Sequence, residues 1–398
     1  MKPDVVVVGA GPAGAATAIL LAEQGFHVLV LDRARFPRPK LCGEYLSPEA
    51  ARVLDRLGVL KTLDGAGAAS LLGMRITAPD GRVLVGSYRA MGPWRPYRDH
   101  ALAVPRTVLD GVLADRLRAL PVEFREQTRV TDIIVDDDRV TGVRALDAGG
   151  RSLTVRAPLV VGADGRASVV AHQLGCRRPH RLRRLALGTY VAGLADCRDY
   201  GEIFVDPPDY AILNPVSAER VNLAVVVPLA HAAPWSRRLD DFFRARVKQI
   251  PHLARRLAGA AHDAVHALGP LAYRVSPPRV GGVLLVGDAA GFYDPFTGEG
   301  IFSALRGAEL AAVTAGNALR AGDCSRAALA GYERARRAAF TDKTLVTRLL
   351  QLVIRRRWTA SLAGRMLAQR PWLLDALLGV IGDFVPPRAL LRRSVLSM

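Results

Sequence analysis

The chain has 398 residues, half of them hydrophobic, and a formal net charge of +18. This length suffices for two or three domains with a large buried core. A nucleic-acid binder could carry this charge, but the basic residues are scattered and are not interleaved with aromatic residues, which favours a solvated, arginine-rich surface. The four cysteines form no CxxC pair, which argues against a metal site, a dithiol reductase or a disulfide scaffold.

The N-terminus predicts a dinucleotide-binding βαβ unit. A β-branched run leads into a GxGxxG turn, an apolar helix and a second strand that ends at Asp32. Gly9 would make the tight turn, Gly11 would let the backbone approach a pyrophosphate, and Gly14 would let helix and strand pack closely. Asp32 follows Gly14 by 18 positions and can accept hydrogen bonds from ribose hydroxyls. The pattern predicts a dinucleotide and does not distinguish FAD from NAD.

The segment after this unit, residues 33–48, is basic and interrupted by proline, which predicts a loop. Its cations could neutralise a pyrophosphate or belong to a solvated loop; they are Arg33, Arg35, Arg38 and Lys40. Cys42 and Gly43 could bring the backbone close to an isoalloxazine ring. A small buried side chain is the favoured role of Cys42 over a reactive thiol.

The middle of the chain shows two kinds of sequence pattern, one with helices and a buried strand and one with successive short strands. We expect a helix at 49–64, a linker at 65–69, and a buried strand near 158–162 that ends in a Gly-Asp turn. Residues 180–280 contain successive short strands separated by turn residues, which predict an antiparallel sheet followed by one helix at about 237–258. This sheet should belong to a second domain laid over the first.

Residues 283–301 predict a strand, a loop and a helix that begins near Gly300. Gly298 and Gly300 leave backbone N–H groups uncovered at the start of this helix, and the helix dipole adds positive potential there. Such a terminus suits the N1–C2=O edge of a reduced flavin. Asp288, at the strand end, is placed to accept hydrogen bonds from a ribityl chain.

Residues 341–398 contain ten Lys/Arg and three Asp/Glu within a strongly apolar sequence. Leu345, Leu349, Leu352 and Val353 share one side of a helix. We expect helices that cap the substrate domain, with this apolar side inward and the arginines outward. The alternative is that this region forms the mouth of a substrate tunnel and lies against anionic lipid.

Three motifs resemble the signatures of the FAD-dependent aromatic hydroxylase superfamily, the class A flavoprotein monooxygenases. They are the GxGxxG turn, GADG at 162–165 and GDAAG at 287–291. KLCG at 40–43 and PFTGEGI at 295–301 are similar to the geranylgeranyl reductase branch, and the resemblance covers roughly residues 1–340. The three signatures are specific for fold and cofactor and not for the reaction.

The resemblance implies an α/β fold with FAD as cofactor. It comprises a Rossmann-like FAD-binding domain with a parallel sheet (1–70, 104–178 and 279–340), an antiparallel-sheet substrate domain over it (71–103 and 179–278) and a helical C-terminal region (341–398). The cofactor residues that it implies, together with those singled out above, are Gly9, Gly11, Pro12, Ala13, Gly14, Asp32, Arg33, Cys42, Gly43, Arg106, Val130, Asp164, Gly287, Asp288, Gly298, Gly300 and Ile301, and Pro295 should line the flavin site beside Cys42. No catalytic side chain is assigned, because the flavin carries the chemistry.

The reaction is predicted from what the motifs lack. There is no second GxGxxG, so NAD(P)H would dock transiently on the FAD domain, and the halogenase motif is absent. Where the reductase branch has a Trp-containing motif, this chain reads YAILNP at 210–215. We therefore predict an NAD(P)H- and O2-dependent monooxygenase that hydroxylates a lipophilic, polyketide-like aromatic substrate in secondary metabolism.

Two alternatives remain open from the sequence. The first is a flavin-dependent reductase of C=C bonds in isoprenoid chains, favoured by the Cys-Gly and TGEGI stretches. The second is a non-catalytic basic scaffold for membranes or nucleic acid, favoured by the net charge. The chain enters a strand directly after its first residues and leaves no room for a signal peptide, so we expect a cytoplasmic protein that touches membranes at most from outside.

Overall fold

The computed structural model of the protein describes residues 2–235 and 238–391. The strands are β1 Val5–Val8, β2 Val28–Leu31, β3 Tyr45–Leu46, β4 Ala69–Leu71, β5 Gly73–Thr77, β6 Val83–Ser87, β7 Ala101–Ala103, β8 Val122–Arg125, β9 Arg129–Asp136, β10 Arg139–Leu146, β11 Ser152–Arg156, β12 Leu159–Gly162, β13 Arg177–Pro179, β14 Arg184–Ala192, β15 Tyr200–Asp206, β16 Asp209–Pro215, β17 Arg220–Pro228, β18 Ala261–His262, β19 His266–Leu268, β20 Tyr273–Val275 and β21 Val283–Leu285.

The helices are α1 Pro12–Ala22, α2 Pro48–Arg56, α3 Leu60–Gly65, α4 Arg106–Arg118, α5 Val169–Gln173, α6 Leu229–Ala232, α7 Leu239–Lys248, α8 Pro251–Arg256, α9 Gly300–Arg320, α10 Arg326–Val353, α11 Arg357–Ala368 and α12 Pro371–Ile381.

The first layer is built on a five-stranded parallel sheet of order β21-β12-β1-β2-β8. Its strands are short and apolar on both faces, as expected for a sheet covered on both sides. Val5 and Val7 of β1 face α1, α4 and α9, whereas Val6 and Val8 face the small antiparallel sheet β11-β10-β9. The carboxyl ends of β1, β12 and β21 therefore meet at one edge, where the GxGxxG turn and Asp288 lie.

The second layer is an eight-stranded sheet of order β18-β14-β17-β16-β15-β5-β6, with β19 paired to β14. One face packs on α7 and α8 through Phe242, Phe243 and Leu253. The other face contributes Ile203 and Ile212 to a core shared with α12. The sheet was expected to be antiparallel, and it is so except for the β15–β5 pair, which runs parallel.

Three local expectations were wrong at element boundaries. The helix expected at 49–64 is two helices, because Gly58 adopts φ +73° between them and ends the first. The linker expected at 65–69 is shorter by one residue at each end, because α3 extends to Gly65 and β4 begins at Ala69. The helix expected at 237–258 is also two, and α8 begins at Pro251, which cannot donate the hydrogen bond that would continue α7.

The face of α10 that points toward the core differs from the expected one. α10 runs unbroken through the predicted domain boundary at 341. Its inward-facing side chains include Val346, Leu350 and Ile354, whereas Leu345, Leu349 and Leu352 are 52–61% exposed, so the expected inward leucine face was wrong. Helical periodicity gives the spacing of an apolar face but not which of two apolar faces meets the core. Within residues 2–235 and 238–391, no helix combines the length and the apolarity that crossing a bilayer demands.

Candidate FAD and substrate site

The GxGxxG turn is held by close backbone packing at its first and third glycines. Gly9 has φ +97°, and a Cβ there would lie 2.6 Å from the Ala163 carbonyl oxygen. A Cβ on Gly14 would lie 1.8 Å from the Gly9 carbonyl oxygen. These glycines are therefore required by the fold itself, whether or not a cofactor is bound.

Gly11 is different, because it borders open space. A Cβ there would meet only the Arg38 guanidinium, at 3.6 Å. Gly11 is also the N-cap of α1, which has no side-chain cap, so the first N–H groups of the helix face this space. An uncapped helix start with a nearby arginine fits the pyrophosphate of a dinucleotide.

Asp32 lies at the end of β2 and is buried. It accepts hydrogen bonds from the backbone N–H groups of Ala10 at 2.7 Å and Ala34 at 2.8 Å. These bonds orient the carboxylate beside the turn, and each oxygen keeps a lone pair for a ribose hydroxyl. Arg33, by contrast, is exposed.

The loop before α9 forms the end of the site where the sequence predicts the flavin. Gly298 adopts φ +67°, and a Cβ there would lie 2.6 Å from the Tyr45 ring. α9 begins at Gly300 without a side-chain cap, as the sequence predicted. Gly287, with φ +62°, passes close to Ala13, so the strand-end turn that carries Asp288 packs against the start of α1.

A cavity of about 260 Å³ joins these parts. Eleven of the residues predicted for the site line it: Gly11, Pro12, Ala13, Cys42, Gly43, Arg106, Asp288, Pro295, Gly298, Gly300 and Ile301. Beyond them the wall is apolar. It comprises side chains of the large sheet, such as Ile203, Val205 and Ile212, and of the C-terminal helices, such as Leu350, Leu367 and Ile381.

Seven predicted site residues do not line the cavity: Gly9, Gly14, Asp32, Arg33, Val130, Asp164 and Gly287. Val130 is buried in the core beneath the small sheet. Asp164 accepts a hydrogen bond from the Val169 N–H at 2.7 Å at the start of α5, and its Oδ1 is buried without a partner among the described residues. Burial raises the pKa of the Asp164 carboxyl. The contacts of all eighteen predicted site residues with FAD remain predictions.

A buried ion cluster supports the loop at 38–43. Arg106, at the start of α4, donates to Asp110 through two nitrogens at 2.9 and 2.8 Å, and Arg38 lies 3.6 Å from the same carboxylate. Lys40 lines the cavity, and burial, together with the charge of Arg106, lowers its pKa. Of the four loop cations, Lys40 lines the cavity and Arg38 lies between Gly11 and Asp110, whereas Arg33 and Arg35 are exposed. Lys40 and Arg38 are placed for a phosphate.

Glu44 is the site residue that the sequence reading missed. It lines the cavity, is 2% exposed and has φ +56°, a conformation that side chains other than glycine rarely adopt. Its Oε1 accepts from the Tyr190 hydroxyl at 2.7 Å and the Arg106 N–H at 2.8 Å, and its Oε2 accepts from Asn222 at 3.1 Å. Burial raises the pKa of Glu44, and these hydrogen bonds oppose the shift. One signal was available in the sequence: Glu44 is the single acid of the basic segment 33–48.

The YAILNP stretch forms β16 and supports the same loop. Asn214 donates to the Gly43 carbonyl at 2.7 Å, and its own Oδ1 is buried without a partner among the described residues. Tyr210 donates to Asp294, next to Pro295, at 2.7 Å. The strand therefore links the two loops that are predicted to hold the isoalloxazine.

The motif geometry agrees with the comparison with known families. Residues 2–345 match the family model described as FAD binding domain. The chain belongs to this family. It is an FAD-dependent oxidoreductase, which confirms the fold, cofactor and superfamily predicted from the three motifs.

Curated relatives extend over most of the chain. Conditioned medium factor receptor 1 of Dictyostelium discoideum is 30% identical over 83% of this chain, which spans 66% of that longer protein. Digeranylgeranylglycerophospholipid reductase of Methanosarcina mazei is 30% identical, covering 81% of this chain and 77% of the relative. Menaquinone reductase of Mycolicibacterium smegmatis is 31% identical, covering 78% and 76%.

Solved structures share the fold. A flavin-dependent brominase superposes with a TM-score of 0.85 at 21% identity, covering 100% of this chain and 98% of the brominase. A geranylgeranyl bacteriochlorophyll reductase-like protein from Thermoplasma acidophilum superposes with a TM-score of 0.73 at 21% identity, covering 100% and 95%. At this identity the likeness establishes the architecture and not the reaction.

Proposed function

We propose that the protein reduces C=C bonds in the isoprenoid chain of a lipid. This reverses the order of the two reactions predicted from sequence, in which hydroxylation came first. The change is supported by the curated relatives at 30–31% identity that are named as reductases of a digeranylgeranyl lipid and of menaquinone. Both of those names describe lipids with isoprenoid chains.

The observation that carries the proposal is the cavity wall. Its polar side chains, among them Lys40, Glu44, Arg106 and Asp288, lie at the flavin end, and Asn214 is engaged with Gly43. The rest of the wall consists largely of aliphatic side chains from the large sheet and three C-terminal helices. Such a wall recognises a chain of CH2 and CH3 groups through buried apolar area and offers few hydrogen bonds to a polar ring substrate.

Bound FAD in its reduced form supplies a hydride equivalent, so saturation of a double bond also needs a proton from elsewhere. Glu44 is an acidic residue of the cavity wall. Burial raises the pKa of its carboxyl group, which favours the protonated form. Tyr190 and Asn222 fix the orientation of the carboxyl group. We assign Glu44 the role of holding this proton beside the substrate.

Hydroxylation with NAD(P)H and O2 is the second candidate. It is favoured by β16, which reads YAILNP at 210–215 where the reductase branch has a Trp-containing motif. A lipophilic substrate, including the polyketide-like aromatic compound considered from the sequence, would enter the same cavity.

Product analysis separates the two reactions. The FAD-loaded protein is reduced chemically without oxygen and incubated with a phospholipid that carries geranylgeranyl chains, and the lipid is then examined by mass spectrometry. The proposal predicts a gain of two hydrogen atoms per reduced bond under anaerobic conditions. A product that gains one oxygen atom, formed only with O2 and NAD(P)H, would replace this proposal with hydroxylation.

A further inference from the structure

The outer face of the C-terminal helices carries an unusual concentration of exposed apolar side chains. Among the residues that the structure describes, twelve large apolar side chains are exposed, and six of them fall within residues 345–366. We call these six the outer patch: Leu345, Leu349, Leu352, Trp358, Leu362 and Met366. Leu345, Leu349 and Leu352 follow one face of α10, and the other three repeat every four residues along α11, so each helix presents a continuous apolar stripe.

The charge around the outer patch is predominantly positive, and the one acid within a helical turn of it along the chain, Asp342, pairs with Arg388. Residues 343–374 contain seven Lys/Arg and no Asp/Glu. Lys343 and Arg357 are engaged with Asp383 and Asp206. Five exposed arginines form no ion pair with any carboxylate that the structure describes: Arg348, Arg355, Arg356, Arg365 and Arg370.

We infer that the outer patch docks the protein on the surface of an anionic lipid bilayer. Leucine, methionine and tryptophan side chains can enter the boundary between headgroups and acyl chains, while arginine side chains reach the phosphates beside them. Tryptophan is enriched at this depth of a bilayer. Each basic residue near such a surface adds attraction that salt weakens.

Two other occupants fit the chemistry less well. A symmetric dimer would place the outer patch of one copy on that of the other, and the arginines would then face arginines without an intervening acid. A nucleic acid would leave the leucine stripes in contact with a highly charged backbone. An anionic bilayer satisfies both the apolar centre and the basic surround.

The same helices also wall the cavity, through positions next to those of the outer patch. Leu350 and Val353 of α10 line the cavity one position after the exposed Leu349 and Leu352, and Ala363 of α11 does so one position after the exposed Leu362. One layer of helix therefore separates the cavity from the docking face. The docking inference is independent of the reaction, and its consequence, that an isoprenoid chain passes from bilayer to cavity, rests on the proposed function.

Vesicle flotation of the full-length FAD-loaded protein tests the docking without any substrate. We expect flotation with phosphatidylcholine vesicles that contain phosphatidylglycerol, little flotation with phosphatidylcholine alone, and release at high salt. Leu349→Gln with Leu352→Gln, and separately Arg355→Glu with Arg356→Glu, should each weaken vesicle binding about tenfold or more. Bound flavin and an unchanged Tm check that each variant is folded.

Matched controls alter equally exposed positions elsewhere. Val135→Gln with Val313→Gln removes two exposed apolar side chains, and Arg144→Glu with Arg198→Glu makes the same change in net charge. Both controls should float like the wild type. The inference is overturned if the wild type fails to float at low salt, or if the controls lose as much binding as the patch variants. It is also overturned if ultracentrifugation shows a dimer that the leucine variant dissociates and no flotation occurs.

Discussion

Glu44 combines a strained backbone, nearly complete burial and three hydrogen bonds at the cavity wall. A positive φ outside glycine persists only where the surroundings enforce it, and such residues cluster at functional sites. The Glu44 carboxyl group is held by contacts from α4 and from the large sheet, through Arg106, Tyr190 and Asn222. Both layers of the fold therefore contribute to the position of this carboxyl group.

Glu44→Gln should keep the shape of the side chain and remove its transferable proton. We expect the anaerobic rate of C=C reduction to fall by about 10²–10⁴-fold with flavin affinity unchanged. Because burial raises the pKa of Glu44, the wild-type rate should fall as pH rises through that raised pKa, and the variant should lack this dependence. Rapid-mixing kinetics across a pH series measures both.

Glu202→Gln is the control for this variant, because Glu202 is also buried in the large sheet but pairs with Arg256 and does not line the cavity. It should leave the rate and its pH profile in place. An equal loss of rate in the two variants, or a wild-type pH profile in Glu44→Gln, would contradict the assigned role.

Substitutions at two glycines of the first turn should affect different properties, Gly11 cofactor binding and Gly14 folding. Gly11→Val should yield a folded but colourless protein, because its side chain enters the open space before α1 that the pyrophosphate requires. Gly14→Ala should instead destabilise the protein by about 1–3 kcal/mol or more, because its Cβ would overlap backbone. Flavin absorbance measures the loss of cofactor, and thermal unfolding measures the loss of stability. A yellow Gly11→Val protein would mean that the cofactor is misplaced.

At the scale of elements, α10 contacts both the loop before α9 and the end of α12. Lys343 of α10 donates to Asp383 and to the Ile381 carbonyl oxygen, the latter at 3.2 Å, and lies 3.6 Å from Glu299 at the start of α9. Burial raises the pKa of Asp383 to about 7, although Lys343 opposes the shift. The native state therefore retains a proton that the unfolded chain releases at lower pH.

Asp383→Asn should change how stability depends on pH. A raised native pKa contributes stability that is present below the ordinary carboxyl value and is lost as pH rises through about 7. The Tm of the wild type should thus fall relative to that of the variant between about pH 4 and pH 8. Asp342→Asn, which breaks the pair with the exposed Arg388, is the control. A Tm difference that stays constant, or that changes in the opposite direction, would contradict this assignment.

The elements also show how far sequence reasoning reaches. The strand–turn–helix unit from β1 to β2 was predicted correctly, because each motif residue acts on its immediate neighbours. The leucine face of α10 was placed on the wrong side, because α10 has two apolar faces and only tertiary packing selects one. Glu44 was missed because its importance comes from Tyr190 and Asn222, which lie 146 and 178 positions away in the chain.

For the whole molecule, the cavity is lined partly by the region that matches the family model and partly by helices beyond it. The family model ends at residue 345, yet α10, α11 and α12 contribute much of the apolar wall after that point. The predicted flavin end of the cavity thus lies within the region that matches the family model, and the C-terminal helices complete the apolar end that we propose for the substrate. The same helices carry the outer patch, so the two proposals place substrate choice and membrane docking in one segment.

The most direct test of the central claim is a single turnover followed by flavin absorbance. The FAD-loaded protein is reduced without oxygen and mixed with an isoprenoid lipid in phosphatidylglycerol-containing vesicles. The proposed reaction predicts that the oxidised flavin spectrum returns at a rate that depends on lipid concentration, and that a saturated-chain lipid has no effect. A flavin that stays reduced with the unsaturated lipid and reoxidises only when O2 is admitted would contradict C=C reduction.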